Sequence, residues 1–259
     1  MYSASCVLVF VATYLLNTGI ISVLYHRGLA HRSVTLHPQV RRFAATWGIW
    51  LTGLDPKGWV CMHRLHHRHS DTREDPHSPT HQGKIGLLFG QLESYKKTLL
   101  GLIRGRARYV DEVADLDFPV HPLNQRGAWL LPYLAHLGIA LAVAAPTGMW
   151  ALGASYFVGL MSHPIEGWIV NALGHSVGSR NFETNDDSRN NHLAAWLILG
   201  EGYQNNHHRY PGSARFSFRS SEVDFGYAVC LVLEKFGALQ IRRERLIPRP
   251  RNQQLSQEV

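Results

Sequence analysis

The apolar positions of this chain fall into three long blocks separated by polar stretches. The first, CVLVFVATYLLNTGIISVL (Cys6–Leu24), is uncharged and of bilayer-spanning length, about 20 residues. It lacks the basic leader and small-residue cleavage site of a signal peptide, and it runs straight into YHRGLAHR, so it reads as a membrane helix. The second block, Trp129–Trp150, and the third, Ala151–His175, follow one another with almost no linker. They read as a transmembrane hairpin turning near Pro146–Trp150, with tryptophans at interfacial depths. The expected spans are about 6–25, 129–149 and 151–172. Inside the third block stand His163, Glu166 and Asn171, polar groups that are costly in lipid and therefore point to a protein-lined interior.

Between and after these blocks the pattern changes. His37–Leu54 is amphipathic with Arg41 and Arg42, as expected of a helix lying on the membrane surface. Ser70–Lys84 is a loop by its Pro, Asp and Ser content, Lys96–Tyr109 a basic surface helix, and Arg180–His192 a polar loop. Leu193–His208 reads as one helix. The expected organisation is a single all-α membrane domain over residues 1–245, with a cytosolic cap from 26–125 and 176–245, and a flexible tail over 246–259. Basic residues gather on both sides of the hairpin, which places the cap in the cytoplasm by the positive-inside rule and Met1 on the outer face.

The net charge of +7 is compatible with a nucleic acid, an anionic membrane surface or an acidic substrate. No aromatic-and-basic RNA-binding pattern supports the first. Cys6, Cys61 and Cys230 are odd in number and far apart, outside any C-x-x-C pair, so neither a disulfide framework nor a cysteine metal site is expected. Arg41, Arg42, Lys57 and Arg209 are candidates for an acidic substrate head or an electron donor, with solvated surface charge as the plainer alternative.

Sixteen histidines change the picture. They cluster as His26 and His31 in HRGLAH, His63, His66 and His67 in HRLHH, and His207 and His208 in QNNHH behind Gln204. Asn171 and His175 form an i, i+4 pair at the end of the third block. Positions i, i+3 and i+4 share one face of a helix, so each triplet is expected to point one way. His26 and His31, five apart, are not in line on an ideal α-helix; they meet one ion only if that helix unwinds, or else straddle two. Eight histidines exceed the coordination of one ion, and imidazole suits iron, copper, zinc or nickel. Two imidazole-rich metals at a membrane surface suggest oxygen chemistry on an unactivated C–H bond. His136 reads as a packed, hydrogen-bonded histidine, and His37, His69, His77, His81, His121 and His192 as surface groups or supports of the ligands.

In order and spacing, HRGLAH, HRLHHRHSDTREDPHSP, NALGHSVG and GEGYQNNHHRYPGSAR resemble the histidine boxes of the membrane fatty acyl desaturases, nearest to the bacterial acyl-CoA type. The resemblance runs from about Tyr25 to Ala238. It implies helices beneath a cytosolic cap that holds two iron ions and a bent acyl tunnel. It also implies O2 as co-substrate and electrons from a separate ferredoxin or cytochrome b5. By this resemblance His26, His31, His63, His66, His67, His175, His207 and His208 match the iron ligands, and Asn171 a residue that meets one iron through water. Gln204 departs from the histidine of the acyl-CoA type and leaves a weaker donor. Trp59 is expected to pack the tunnel or buttress the ligands. Asp71, Asp75 and Glu201 are expected to hold ligand N–H groups, and Glu166 to line the tunnel or pair with a neighbouring helix. The implied substrate is a fatty acyl chain, as a CoA thioester or another acyl carrier, and the implied location a bacterial inner membrane. The family has four spans where three are visible, so a missing hairpin partner and homo-oligomerisation are further expectations. A di-iron hydroxylase of another lipid or metabolite and a non-catalytic metal-binding membrane protein remain the alternatives.

Overall fold

The computed structural model describes residues 2–247, so the expected tail beyond 247 and the placing of Met1 lie outside the described residues. Helix α1 (Tyr2–Gly19) continues without a break into a π-helical segment, Ile20–Ala30. Together they form the one helix among the described residues that is long and apolar enough to cross a membrane. Its first half exposes Val7, Leu8, Val11 and Leu15, whereas Ile20–Ala30 is buried throughout. One continuous helix thus carries an apolar outer surface at one end and the protein core at the other.

Helix α2 (Pro38–Thr52) follows, with Phe43 and Trp47 exposed on its outer face, in keeping with the amphipathic reading. Asp55 caps helix α3 (Pro56–His69) by accepting from the backbone N–H groups of Lys57 and Gly58, both at 2.9 Å, and Pro56 fills the first helical position. The other oxygen of Asp55 accepts from the His121 N–H at 2.7 Å and the Asn124 amide at 3.1 Å. One carboxylate therefore fixes where α3 begins and how it is rotated. Helix α4 (Lys84–Ile103) packs against α3.

Where a transmembrane hairpin was expected, two apolar helices, α5 (Leu131–Thr147) and α6 (Trp150–Leu160), pack against one another, and each is shorter than a bilayer span. The third apolar block is not one helix. It breaks at Met161 and Ser162, ahead of Pro164, and resumes as α7 (His163–Gly174). Proline cannot donate to the preceding turn, and the Ser162 hydroxyl donates to the Gly159 carbonyl at 2.8 Å, which completes the break. Leu193–His208 is likewise broken, into α8 (His192–Leu197) and α9 (Gln204–Arg209). Leu199 at φ 46° and Gly200 at φ 92° take left-handed conformations that end the helix between them. Helix α10 (Phe225–Lys235) leads to a short strand, Leu239–Ile241, antiparallel to Val34–Leu36. This two-stranded ribbon is the one sheet among the described residues, and it ties residue 241 to the segment just past the π-helix.

Candidate metal centre

Four helical elements deliver the histidines. The π-helical segment supplies His26 and His31, α3 supplies His63, His66 and His67, and α9 supplies His207 and His208, with His175 closing α7. In the structure they separate into two groups. Ring nitrogens of His26, His31, His63, His67 and His207 lie within 4.8 Å of one another, and those of His66, His175 and His208 do the same. In the first group Nε2 meets Nε2 at 2.9 Å between His26 and His207, 2.7 Å between His31 and His63, and 2.9 Å between His67 and His207.

His26 and His31 reach the same group because the helix that carries them is π-wound. The His31 N–H bonds to the His26 carbonyl at 3.0 Å, an i→i+5 bond, and each such turn takes in an additional residue, so residues five apart come nearly into line. This is the unwinding that an ideal helix would have needed. The triplets, expected to point one way, are divided. His63 and His67, one turn apart, serve the first group, while His66 turns to the second; likewise His207 serves the first and His208 the second. A pair of adjacent histidines on a helix diverges by roughly 100°, which lets each helix hold one group with one ring and the other group with the next.

Four carboxylates back the rings. Nδ1 of His26 meets Glu201 at 2.5 Å, His66 meets Asp75 at 3.0 Å, His175 meets Asp71 at 2.8 Å and His208 meets Asp186 at 2.8 Å. A carboxylate on Nδ1 holds the proton there and leaves the Nε2 lone pair free to face a metal. In the second group, Nε2 of His66, His175 and His208 is buried and has no hydrogen-bond partner among the described residues. Three unpartnered, converging acceptors deep in a protein are unfavourable unless a cation completes them, so the residues present fit a metal at this place.

Protonation is set accordingly. Burial, reinforced by repulsion from neighbouring rings, holds His31, His63, His67 and His207 well below the ordinary histidine range. Burial lowers His208 to about 4 even though Asp186 opposes the shift. Burial tends to raise Asp71, but the His175 bond outweighs it and brings the carboxyl to about 2; Asp75 and Asp186 are held low in the same way by His66 and His208. Both effects destabilise the metal-free protein in acid. Its stability is fully present above about pH 7. It falls first below about 6.5, where histidines of the unfolded chain take up protons that the buried rings refuse, and again below about 4, where the unfolded carboxylates protonate first. Denaturant titrations of the chelator-treated protein at pH 8, 6 and 5 check the first stage, and a flat profile over that range would contradict it.

Asn171 and Gln204 line the cavity beside these rings. The Gln204 amide nitrogen donates to the Glu201 carbonyl at 2.7 Å, so its oxygen is the atom left to face the cavity. Gly174 permits this approach, because a Cβ there would stand 2.5 Å from Gln204 Cγ. Trp59 stacks on His63 with centroids 4.9 Å apart and planes at 10°. Glu166 combines its two expected roles, lining the cavity and accepting from Thr18 of the first helix at 3.0 Å. The cavity holds about 680 Å³ of empty space, part of it open to solvent, and runs from His26, His63 and His66 past Trp59 to Gln91 and Glu166.

Other sequence readings sort themselves similarly. His136 is packed and bonded to Tyr156 at 2.6 Å and to the Trp50 carbonyl at 2.7 Å. His77 is buried against His66, centroids 4.5 Å apart, a support rather than a surface group. Lys57 spends its ammonium on the carbonyls of Leu116 and Phe118, at 2.9 and 2.8 Å, and Arg41 pairs with Asp117, which makes both structural. Cys61 turns to the Tyr109 carbonyl, away from the histidines. The sequence reading passed over Asp186, Arg27 and the asparagine pair of α9. Asn205 accepts from the N–H groups of Asn181 and Phe182, each at 2.8 Å, and Asn206 donates to Glu222 at 2.9 Å. These bonds hold a six-residue helix that could not stand alone. The NN preceding HH was the available signal.

A fold that gathers eight histidines into two groups, each able to hold a metal ion, beside a cavity defines a histidine-rich helical protein. The fatty acid desaturase family profile matches residues 3–220, and the chain belongs to that family. It is 32% identical over 223 residues to a protein of Arabidopsis thaliana named probable lipid desaturase ADS3.2, chloroplastic, covering 86% of this chain and 59% of that one. It is 30% identical to an acyl-CoA C20 Delta5-desaturase of Anemone leveillei, covering 82% and 65%, and 31% identical to Delta-9 acyl-lipid desaturase 1 of Arabidopsis thaliana, covering 84% and 68%. The chain thus spans roughly three fifths to two thirds of the length of these relatives. They are plant proteins, so they lend no support to a bacterial inner membrane.

Proposed function

We propose that this protein is a membrane-bound fatty acyl desaturase that uses two iron ions held by its histidines. The observation that carries the reading is the set of three buried Nε2 atoms of His66, His175 and His208, without hydrogen-bond partners among the described residues, beside the five-histidine group, with His26, His63 and His66 lining one cavity. His26, His31, His63, His67 and His207 would hold one ion; His66, His175 and His208 would hold the other, with Asn171 and the Gln204 oxygen beside it. Bound there, the ions supply the oxidising power to remove two hydrogens from an unactivated carbon chain. O2 takes two electrons from the chain and two from an external ferredoxin or cytochrome b5, and leaves as two waters. The relatives' names favour a fatty acyl substrate, as a CoA thioester or an acyl lipid.

The protein's own groups do the positioning. Glu201, Asp75, Asp71 and Asp186 fix ring orientation through Nδ1, so that each Nε2 faces inward. Trp59, against His63, forms a flat wall on which an alkyl chain can lie. The exposed apolar residues of α1 and α5 suit lipid contact. The test is expression in a host of defined lipid composition, followed by mapping of double bonds in total fatty acids. The unaltered chain is expected to yield a new unsaturated product and His67→Ala none, a loss of at least a hundredfold. Product from His67→Ala at the normal level would remove that residue from the centre, and oxygen retained in the product would mark a hydroxylase.

A further inference from the structure

His26, His63, His66 and Glu201 line one end of the cavity. The other end, one indole ring beyond His63, is polar in a way a hydrocarbon does not require. The Trp59 Nε1–H donates to His163 Nε2 at 3.1 Å. That bond makes Nε2 the acceptor, so in the neutral ring the proton sits on Nδ1. His163 Nδ1 is buried and has no partner among the described residues. Glu166 is 2% exposed; its Oε1 accepts from Thr18 at 3.0 Å and from Ser162 at 2.5 Å, while its Oε2 is buried and has no partner among the described residues. Both side chains line the cavity. Thr18 precedes His26 by eight residues on one continuous helix, so this polar end lies roughly two turns from the histidines along that axis.

A buried donor and a buried carboxyl oxygen left unpartnered are costly, and an alkyl guest relieves neither. We propose that this end of the cavity recognises an oxygen function on the substrate, a hydroxyl or a carbonyl, held between His163 Nδ1–H and Glu166 Oε2. The proposal rests on the acyl-desaturase reading and narrows its substrate to a chain oxygenated some carbons from the bond that reacts. A hydroxyl can accept from His163 and donate to ionised Glu166. A carbonyl can accept from both residues when Glu166 is protonated.

The test uses the full-length, metal-loaded chain in lipid nanodiscs. It is offered a saturated acyl thioester and positional series of its hydroxy and keto derivatives, alongside Glu166→Leu, His163→Phe and Glu166→Gln. One oxygenated isomer is expected to exceed the plain chain at least tenfold in kcat/KM, because a site built to hydrogen-bond discriminates strongly against an analogue lacking the group. Glu166→Leu and His163→Phe should erase that preference. Glu166→Gln keeps acceptors for Thr18 and Ser162 and offers only a donor in place of Oε2, so it should shift the ranking toward the keto series even if the leucine variant fails to fold. Thermal unfolding with each thioester is read separately. An isomer-specific rise in Tm that Glu166→Gln alters would uphold the proposal even without product, and only the reaction would then fall. A plain chain that binds and reacts as well as every isomer would overturn the proposal and leave the two atoms to ordered water.

Discussion

Arg27→Met is expected to destabilise the protein by about 3–5 kcal/mol, the usual consequence of breaking a buried ion pair from one side. Arg27 is fully buried on the π-helical segment. Its guanidinium donates to Glu201 at 2.7 Å, to Asp224 at 3.0 Å and to the Ala214 carbonyl at 2.9 Å, and it stacks over Phe216 at 3.9 Å. Methionine fills much of the volume yet leaves two buried carboxylates without their cation. Glu201 is also the residue that orients His26, so the change reaches the metal centre as well as the core. The midpoint of thermal unfolding in detergent should drop by on the order of 10 °C. Asp224→Asn, which leaves the Arg27–Glu201 bond in place, should cost clearly less. A midpoint for Arg27→Met within a degree or two of the unaltered protein would show the ion pair to be dispensable.

The two histidine groups are expected to respond unequally to the loss of one ring. The first has five rings and the second three, so removing one leaves four in the first case and two in the second. His175→Ala should therefore lower bound metal from about two ions per chain to about one, since two imidazoles and neutral amides rarely retain a divalent ion. His31→Ala should keep close to two ions while still losing most activity, because the remaining four rings suffice for binding. Elemental analysis of the purified variants, with iron in the growth medium, reads both outcomes. Equal loss in the two variants would mean that the groups share their ligands more evenly than their geometry implies.

Much of the centre could be seen in the chain because helical spacing converts directly into direction. The triplets at 63, 66, 67 and 204, 207, 208 announced shared helical faces, and their adjacent histidines announced the site. What spacing does not contain is the division of each triplet, which depends on how α3 and α9 sit relative to one another. The Asp55 and Asn205–Asn206 bonds set that arrangement through loops with no periodicity of their own. Asp71 and Asp75 were legible because they follow the His63–His67 triplet closely in the chain; that Asp71 serves His175, far along the sequence, was not. Asp186 was not, since it reaches His208 from a polar loop in which every other residue is also a plausible partner.

The apolar blocks were legible as apolar but misleading as helices. Hydropathy averages over Ser162 and Pro164 in the third block and over Leu199 and Gly200 in the later one, and each break is decided by one or two residues. The first block misled in the opposite sense. Its helix does not end at Leu24 but continues to Ala30 with a changed winding.

That change of winding links metal uptake to backbone shape. With one residue fewer between them, His26 and His31 would align on an ordinary α-helix; as the sequence stands, only the looser coil brings both to one ion. Filling the five-histidine group with a metal and holding residues 20–30 in that coil would therefore favour each other, and a substitution that tightens the coil should weaken metal binding without touching a ligand.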